Sequence, residues 1–164
     1  MSPGTGDSST GDVTQWQDAL VRVIKRYQVP RSPDLEARGR EDRDEAASGY
    51  SLVNRTCGDR VTVYGEPPDC RIDARGCAIC RAASEIAGAS LQGLSGPEAL
   101  RFSERIIACL RGELSTDSLD LPAGVKPELQ EDLRALLHVR EYPGRLRCAT
   151  LSWEAVRDVL LRSR

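Results

Sequence analysis

One histidine, one methionine and one phenylalanine are spread through 164 residues, and aromatic residues make up 4% of the chain. A single histidine, with no G-x-S-x-G elbow and no phosphate-cradling glycine loop, leaves serine–histidine catalysis and nucleotide chemistry without a basis. No apolar run approaches the length of a membrane span. A formal net charge of -2 supplies no field for nucleic acid or an anionic membrane. Met1 to Asp12 holds no lysine or arginine, so it does not read as a signal peptide. No internal repeat is visible. The expected setting is therefore cytoplasmic, with thiols kept reduced.

The composition is that of an ordinary globular protein, 40% hydrophobic and 29% charged, and its length suits one domain with one core. Residues 1–12, rich in glycine, serine and threonine, are expected to be disordered, and residues 13–164 to form a single domain. Val13, Trp16, Leu20, Val23, Ile24 and Tyr27 recur at helical spacing and predict a first amphipathic helix that ends at Pro30 and Pro33. Residues 34–48 read as a charged linker.

Short strands are predicted at Tyr50–Val53, at Arg60–Tyr64 with its alternating β-branched residues, and at Cys70–Ala74, with a turn at Gly65–Asp69. Four helical segments follow. The first carries Ile79, Ala82, Ala83, Ile86 and Ala87 on one face and ends by Gly93. The second opens on a capping box, Ser95 with Glu98. Glu113 to Val125 reads as a loop, and Pro127 opens the third. Pro143-Gly144 reads as a break, and the last helix is placed at about Leu151 to Arg162, with Trp153, Val156, Val159 and Leu160 facing in. Strands in one block and helices in the next argue for an α+β fold, a small antiparallel sheet of about three strands covered by helices.

Six cysteines in such a chain call for a reason. Cys57 lies in Asn54-Arg55-Thr56-Cys57-Gly58-Asp59, Cys77 opens a helix after Gly76, and Cys148 lies just before the last helical segment. Three thiols and one acid, each at the edge of a regular element, suit one tetrahedral ion, with Cys57, Asp59, Cys77 and Cys148 as ligands. Gly58 lets the backbone bend so that both neighbours aim at one point. Helix N-termini near Cys77 and Cys148 are expected to favour thiolate. The bland alternatives are unliganded core cysteines and a purely structural zinc site. Cys80 makes a C-x-x-C with Cys77 and is either a redox or ligand residue or a packed helix residue. Cys70 and Cys109 read as structural, and His138 as a helix-terminal residue.

Cys57-Gly58-Asp59, Gly76-Cys77 and the run Arg145-Leu146-Arg147-Cys148-Ala149-Thr150-Leu151-Ser152-Trp153 resemble, in order, the three signatures of the U-type iron–sulfur assembly proteins, the IscU, NifU N-terminal and SufU group. The resemblance spans residues 13 to 162. Arg147, where IscU-like members carry a histidine, and the long segment from Glu113 to Tyr142 place the chain nearer the SufU branch. The resemblance implies an iron–sulfur assembly protein that accepts persulfide sulfur from a pyridoxal-phosphate cysteine desulfurase. It would relay that sulfur to downstream assembly or acceptor proteins, or scaffold a transient cluster. It implies zinc or a transient iron–sulfur cluster at the site, Cys57 as sulfur acceptor, and an auxiliary position for Arg145. Arg55, where the family usually has proline, and a shortened hairpin fit a rival reading, a divergent paralogue whose structural zinc supports a binding module without sulfur transfer.

Overall fold

Strand alternation decides the sheet. Within Arg60–Tyr64, Val61 and Val63 are buried while their neighbours lean outward, and Ile72 repeats the pattern in Arg71–Arg75. In the computed structural model, which describes residues 18–26, 49–123 and 125–163, these two strands (β2 and β3) and β1, Tyr50–Val53, form an antiparallel meander in the order β1-β2-β3. Tyr50 stands opposite Val63, and Val61 opposite Ala74. The third strand begins one residue later than the sequence predicts and leaves Cys70 half-buried at its mouth.

The helices follow the sequence closely at four of their ends. Helix α1, Ala78–Leu91, is capped by Cys77 and followed by Gly93 at positive φ. Helix α2, Gly96–Leu110, starts after Ser95 with proline in its first turn. Helix α3, Pro127–Leu137, precedes a short 3-10 turn, His138–Glu141. A second 3-10 turn, Thr116–Ser118, lies in the loop between α2 and α3. A helical stretch at residues 18–26 places Leu20 and Val23 in the core, and Arg26 pairs with the buried Asp132 of α3 at 2.6 Å. The expectations for residues 1–12 and 34–48, and the ends of the first helix, lie outside the described residues.

One helix boundary is corrected. The last helix, α4, runs Pro143–Arg162, a full two turns earlier than expected. Proline at the first helical position gives up an amide that has no intrahelical acceptor anyway, so Pro143-Gly144 opens the helix instead of breaking the chain. Cys148 consequently sits inside α4, past its first turn.

Helix α4 is the axis of the packing. It lies against α2, α1 and the inner face of β1 and β2, while α1 covers β3. Residues Cys148 to Val156 are buried without interruption, because this part of α4 is enclosed by helices and sheet together. Among the described residues no helix is long and apolar enough to cross a membrane.

The capping box at Ser95 yields a pH prediction. Glu98 accepts from the Ser95 backbone N–H at 2.9 Å and from its hydroxyl at 2.5 Å. These two donors, set against slight desolvation, hold the Glu98 carboxyl below its ordinary 4.5. A depressed carboxyl stabilises the fold above its unfolded value and loses that contribution as the pH falls through the folded one. Glu98→Gln is therefore expected to lose less stability than the wild type between about pH 6 and about pH 3 in urea titrations. Equal losses would mean that ionisation of the Glu98 carboxyl is not linked to folding.

Candidate metal and sulfur site

The antiparallel meander brings the end of β1, the start of β2 and the end of β3 to one end of the sheet, and α4 passes the same end. Asn54 builds the loop between β1 and β2. Its amide N–H donates to Asp59 O at 2.8 Å, and its carbonyl accepts from Gly58 N–H at 2.8 Å. Its side chain accepts from Thr56 N–H at 3.2 Å and donates through Nδ2 to Cys57 Sγ at 2.9 Å. Gly58 takes φ +80°, the left-handed region that favours glycine. The bend leaves Cys57 exposed and turns Asp59 inward to 1% exposure. Asn54 has no role in the sequence reading; the signal was an Asx residue at a strand end, three positions before the cysteine.

Asp59 is the hub. Its Oδ1 accepts from the Cys77 backbone N–H at 2.8 Å, and its Oδ2 from the Cys77 thiol at 3.4 Å. This approach requires Gly76, at φ +147°, where a Cβ would lie 2.7 Å from Asp59 Cγ and 2.9 Å from its Cα. Burial pushes the Asp59 carboxyl up, but the Cys77 N–H and the thiols of Cys57, Cys148 and Cys77 together outweigh it and hold the group below its ordinary 3.8.

Cys57, Asp59 and Cys148 each offer a ligand atom, and these atoms all lie within 4.8 Å of one another. The Cys57 and Cys148 sulfurs are 3.9 Å apart. Two thiolates sharing a tetrahedral zinc at about 2.3 Å each lie about 3.8 Å apart, so this pair fits such an ion with almost no movement. Cys77 stands outside that mutual set. It is the N-cap of α1, and its sulfur accepts from Cys80 N–H at 3.4 Å while donating to Asp59. The donor chemistry, two thiols and a carboxylate with a third thiol at the carboxylate, fits zinc and iron alike.

Cys148 overturns one expectation. Because it lies beyond the first turn of α4 and is 2% exposed, burial first, then its contacts with Asp59 and Cys77, pushes its thiol upward; no helix terminus offsets this. Cys80 is 0% exposed, and burial, reinforced by the charges of Asp59, Cys77 and Cys57, pushes its thiol up to about 12. Cys109 is a core residue. Arg145 is exposed at the start of α4. Arg147, beside Cys148, pairs with the buried carboxylate of Glu154, which also holds Arg111, the C-cap of α2, at 3.0 Å. That clamp fixes the turn of α4 that carries Cys148.

Fold and donor group define a class: a small α+β scaffold that presents a thiol–carboxylate group of metal-ligand type at one end of its sheet. The chain is 31% identical over 110 residues to the zinc-dependent sulfurtransferase SufU of Bacillus subtilis (strain 168), covering 64% of this chain and 69% of that protein. It is 27% identical over 124 residues to the iron–sulfur cluster assembly scaffold protein IscU of Streptococcus pyogenes serotype M1, covering 73% and 72%. The crystal structure of the N-terminal part of a nitrogen-fixing NifU-like protein from Brucella abortus superposes with a TM-score of 0.59 over 91% of this chain and 99% of that one; at 17% identity it speaks for the fold alone. No protein-family model matches the chain. The chain belongs to the U-type iron–sulfur cluster assembly proteins, the IscU, SufU and NifU family, on its SufU-like branch.

Proposed function

We propose that this protein accepts sulfur from a pyridoxal-phosphate cysteine desulfurase at Cys57 and passes it on, or holds it for a transient cluster, in iron–sulfur assembly. The observation that carries the reading is an asymmetry within one group: Asp59 and Cys148 are buried, while Cys57, within 4.8 Å of both, is exposed. A sulfur acceptor has to meet a partner's persulfide, and Cys57 is the thiol of that set at the surface. The similarity to SufU and IscU supports the same reading.

Cys57, Asp59, Cys77 and Cys148 would hold the ion, Cys77 by a small rotation of its side chain away from Cys80 N–H. Zinc, when bound, keeps its sulfur ligands as thiolates at neutral pH. The transfer itself is an exchange between sulfurs. The Cys57 thiolate attacks the outer sulfur of the desulfurase persulfide, a new S–S bond forms at Cys57, and the desulfurase cysteine leaves as thiolate. Asn54 Nδ2, which already donates to Cys57 Sγ, steadies the anionic sulfur as it approaches. Downstream assembly or acceptor proteins would then take the sulfur, in the reducing cytoplasm that free thiols require.

The test is direct. Reduced, zinc-loaded protein is incubated with a cysteine desulfurase and cysteine, alkylated and digested. The peptide carrying Cys57 is expected to appear one sulfur atom heavier, and Cys57→Ala to abolish both that gain and any stimulation of desulfurase turnover. Bound zinc with no sulfur gained at Cys57 would favour the rival, a binding module with a structural zinc site.

A further inference from the structure

Cys80 is left over by the site. It is fully buried, lies one helical turn beyond Cys77, and its backbone N–H donates to Cys77 Sγ at 3.4 Å. The two cysteines thus occupy the N-cap and the third position of α1, a C-x-x-C wrapped round a helix start. Exposure divides their roles. Cys77 is half-buried and open to a small solute; Cys80 is enclosed, so the partner within reach of its sulfur is a neighbouring side chain and not solvent. An accessible thiol backed by an enclosed one is the arrangement in which the second resolves an oxidised first.

We propose that Cys77 and Cys80 are a reversible oxidation site: a hydroperoxide oxidises Cys77, and Cys80 captures it as an intrahelical disulfide. The Cys77 sulfur attacks the peroxide O–O bond, becoming a sulfenic acid and releasing water (or the corresponding alcohol). The Cys80 thiol then attacks that sulfur, an S–S bond forms and a second water leaves. Two thiols lose two electrons and two protons in all, and the peroxide gains them. The disulfide itself stands on the C-x-x-C geometry alone. Its consequence rests on the ligand set proposed above: with Cys77 tied to Cys80, that set loses one sulfur, the ion is released, and a thiol reductant restores it. Cys80 would also spare Cys77 from the irreversible sulfinic state.

Trypsin isolates the pair, because Arg75 and Arg81 bracket it in one six-residue peptide, Gly76 to Arg81. Zinc-free, reduced full-length protein is treated with one equivalent of hydrogen peroxide, alkylated and mapped. The proposal expects this peptide two hydrogens lighter than the reduced form and unalkylated, with full recovery after reduction. In Cys80→Ser, treated alongside wild type with excess peroxide because the sulfinic state takes a second equivalent, the same peptide is expected to carry sulfinic acid that reduction does not reverse, while wild type still gives the disulfide. The competing product joins Cys57 and Cys148, whose sulfurs are 3.9 Å apart, and would appear as a cross-link between two other peptides. That cross-link in place of the intrapeptide disulfide, or identical oxidation of Cys77 in wild type and Cys80→Ser, would overturn the proposal. A zinc-loaded arm reads metal release and its return on reduction. If the protein binds no zinc, the ligand reading fails while the disulfide result stands.

Discussion

Gly76→Ala is expected to empty the metal site and destabilise the fold together. The backbone at φ +147° belongs to glycine, and forcing a side chain into that region costs about 1–3 kcal/mol. The steric conflict adds to this. A Cβ at residue 76 would meet Asp59 Oδ1, Cγ and Cα, the last at 2.9 Å, and the backbone neighbour cannot swing aside as a flexible side-chain tip would. Asp59 must move, and with it go its hydrogen bonds from Cys77 and its place beside Cys57 and Cys148. Gly58→Ala is the control. Its φ is +80° and nothing lies within 4 Å of the added methyl, so only the backbone strain of about 1–2 kcal/mol remains. Zinc content after dialysis and urea midpoints measure both. Retention of zinc by Gly76→Ala at wild-type level would show that Asp59 does not depend on that contact.

Trp153→Ala is expected to lower stability by about 3–5 kcal/mol, a large part of the ~5–15 kcal/mol that holds a domain of this size. Trp153 is the largest fully buried side chain among the described residues and sits edge-on to Phe102 of α2, with centroids 5.9 Å apart and planes at 79°. Its loss opens a cavity between α4 and α2 one turn and a half beyond Cys148. Among the described residues Trp153 Nε1 has no hydrogen-bond partner. Trp153→Phe therefore removes a buried donor along with volume, and its expected loss is less than half that of the alanine variant. Equal losses in urea unfolding would mean that Nε1 is satisfied in solution.

The sheet was legible because its signal is local. Val61, Val63 and Ile72 alternate with polar residues, and one buried face is all that such a pattern needs. The capping box at Ser95 and the proline before α3 were legible for the same reason: each is a chemical mark at one position. The start of α4 was not, because Pro143-Gly144 serves equally as a break or an opening. Only the enclosure of Cys148 to Val156 by helices and sheet decides between them. That error carried into the chemistry, by giving Cys148 a helix terminus it does not have.

At the site, the residue types and their order along the chain pointed to Cys57, Asp59, Cys77 and Cys148, of which the structure groups Cys57, Asp59 and Cys148. What no spacing rule could reveal is the contact between Gly76 and Asp59, which links two loops 17 positions apart in sequence number, 76 against 59. Nor could it reveal that the Cys77 side chain serves as a helix cap. The first is a product of strand pairing, where a single sequence says least; the second is a local choice of side-chain rotamer at a helix start.

The central claim is that one ion is held by three sulfurs and one carboxylate oxygen. X-ray absorption at the zinc edge of the reduced, zinc-loaded protein tests it most directly. The account predicts three sulfurs at about 2.3 Å and one oxygen at about 2.0–2.2 Å, with one sulfur lost in Cys77→Ser. Two sulfurs in the wild type would mean that Cys77 remains a cap and never a ligand. Four would mean that Cys80 enters and Asp59 leaves, and either result would contradict the site described here.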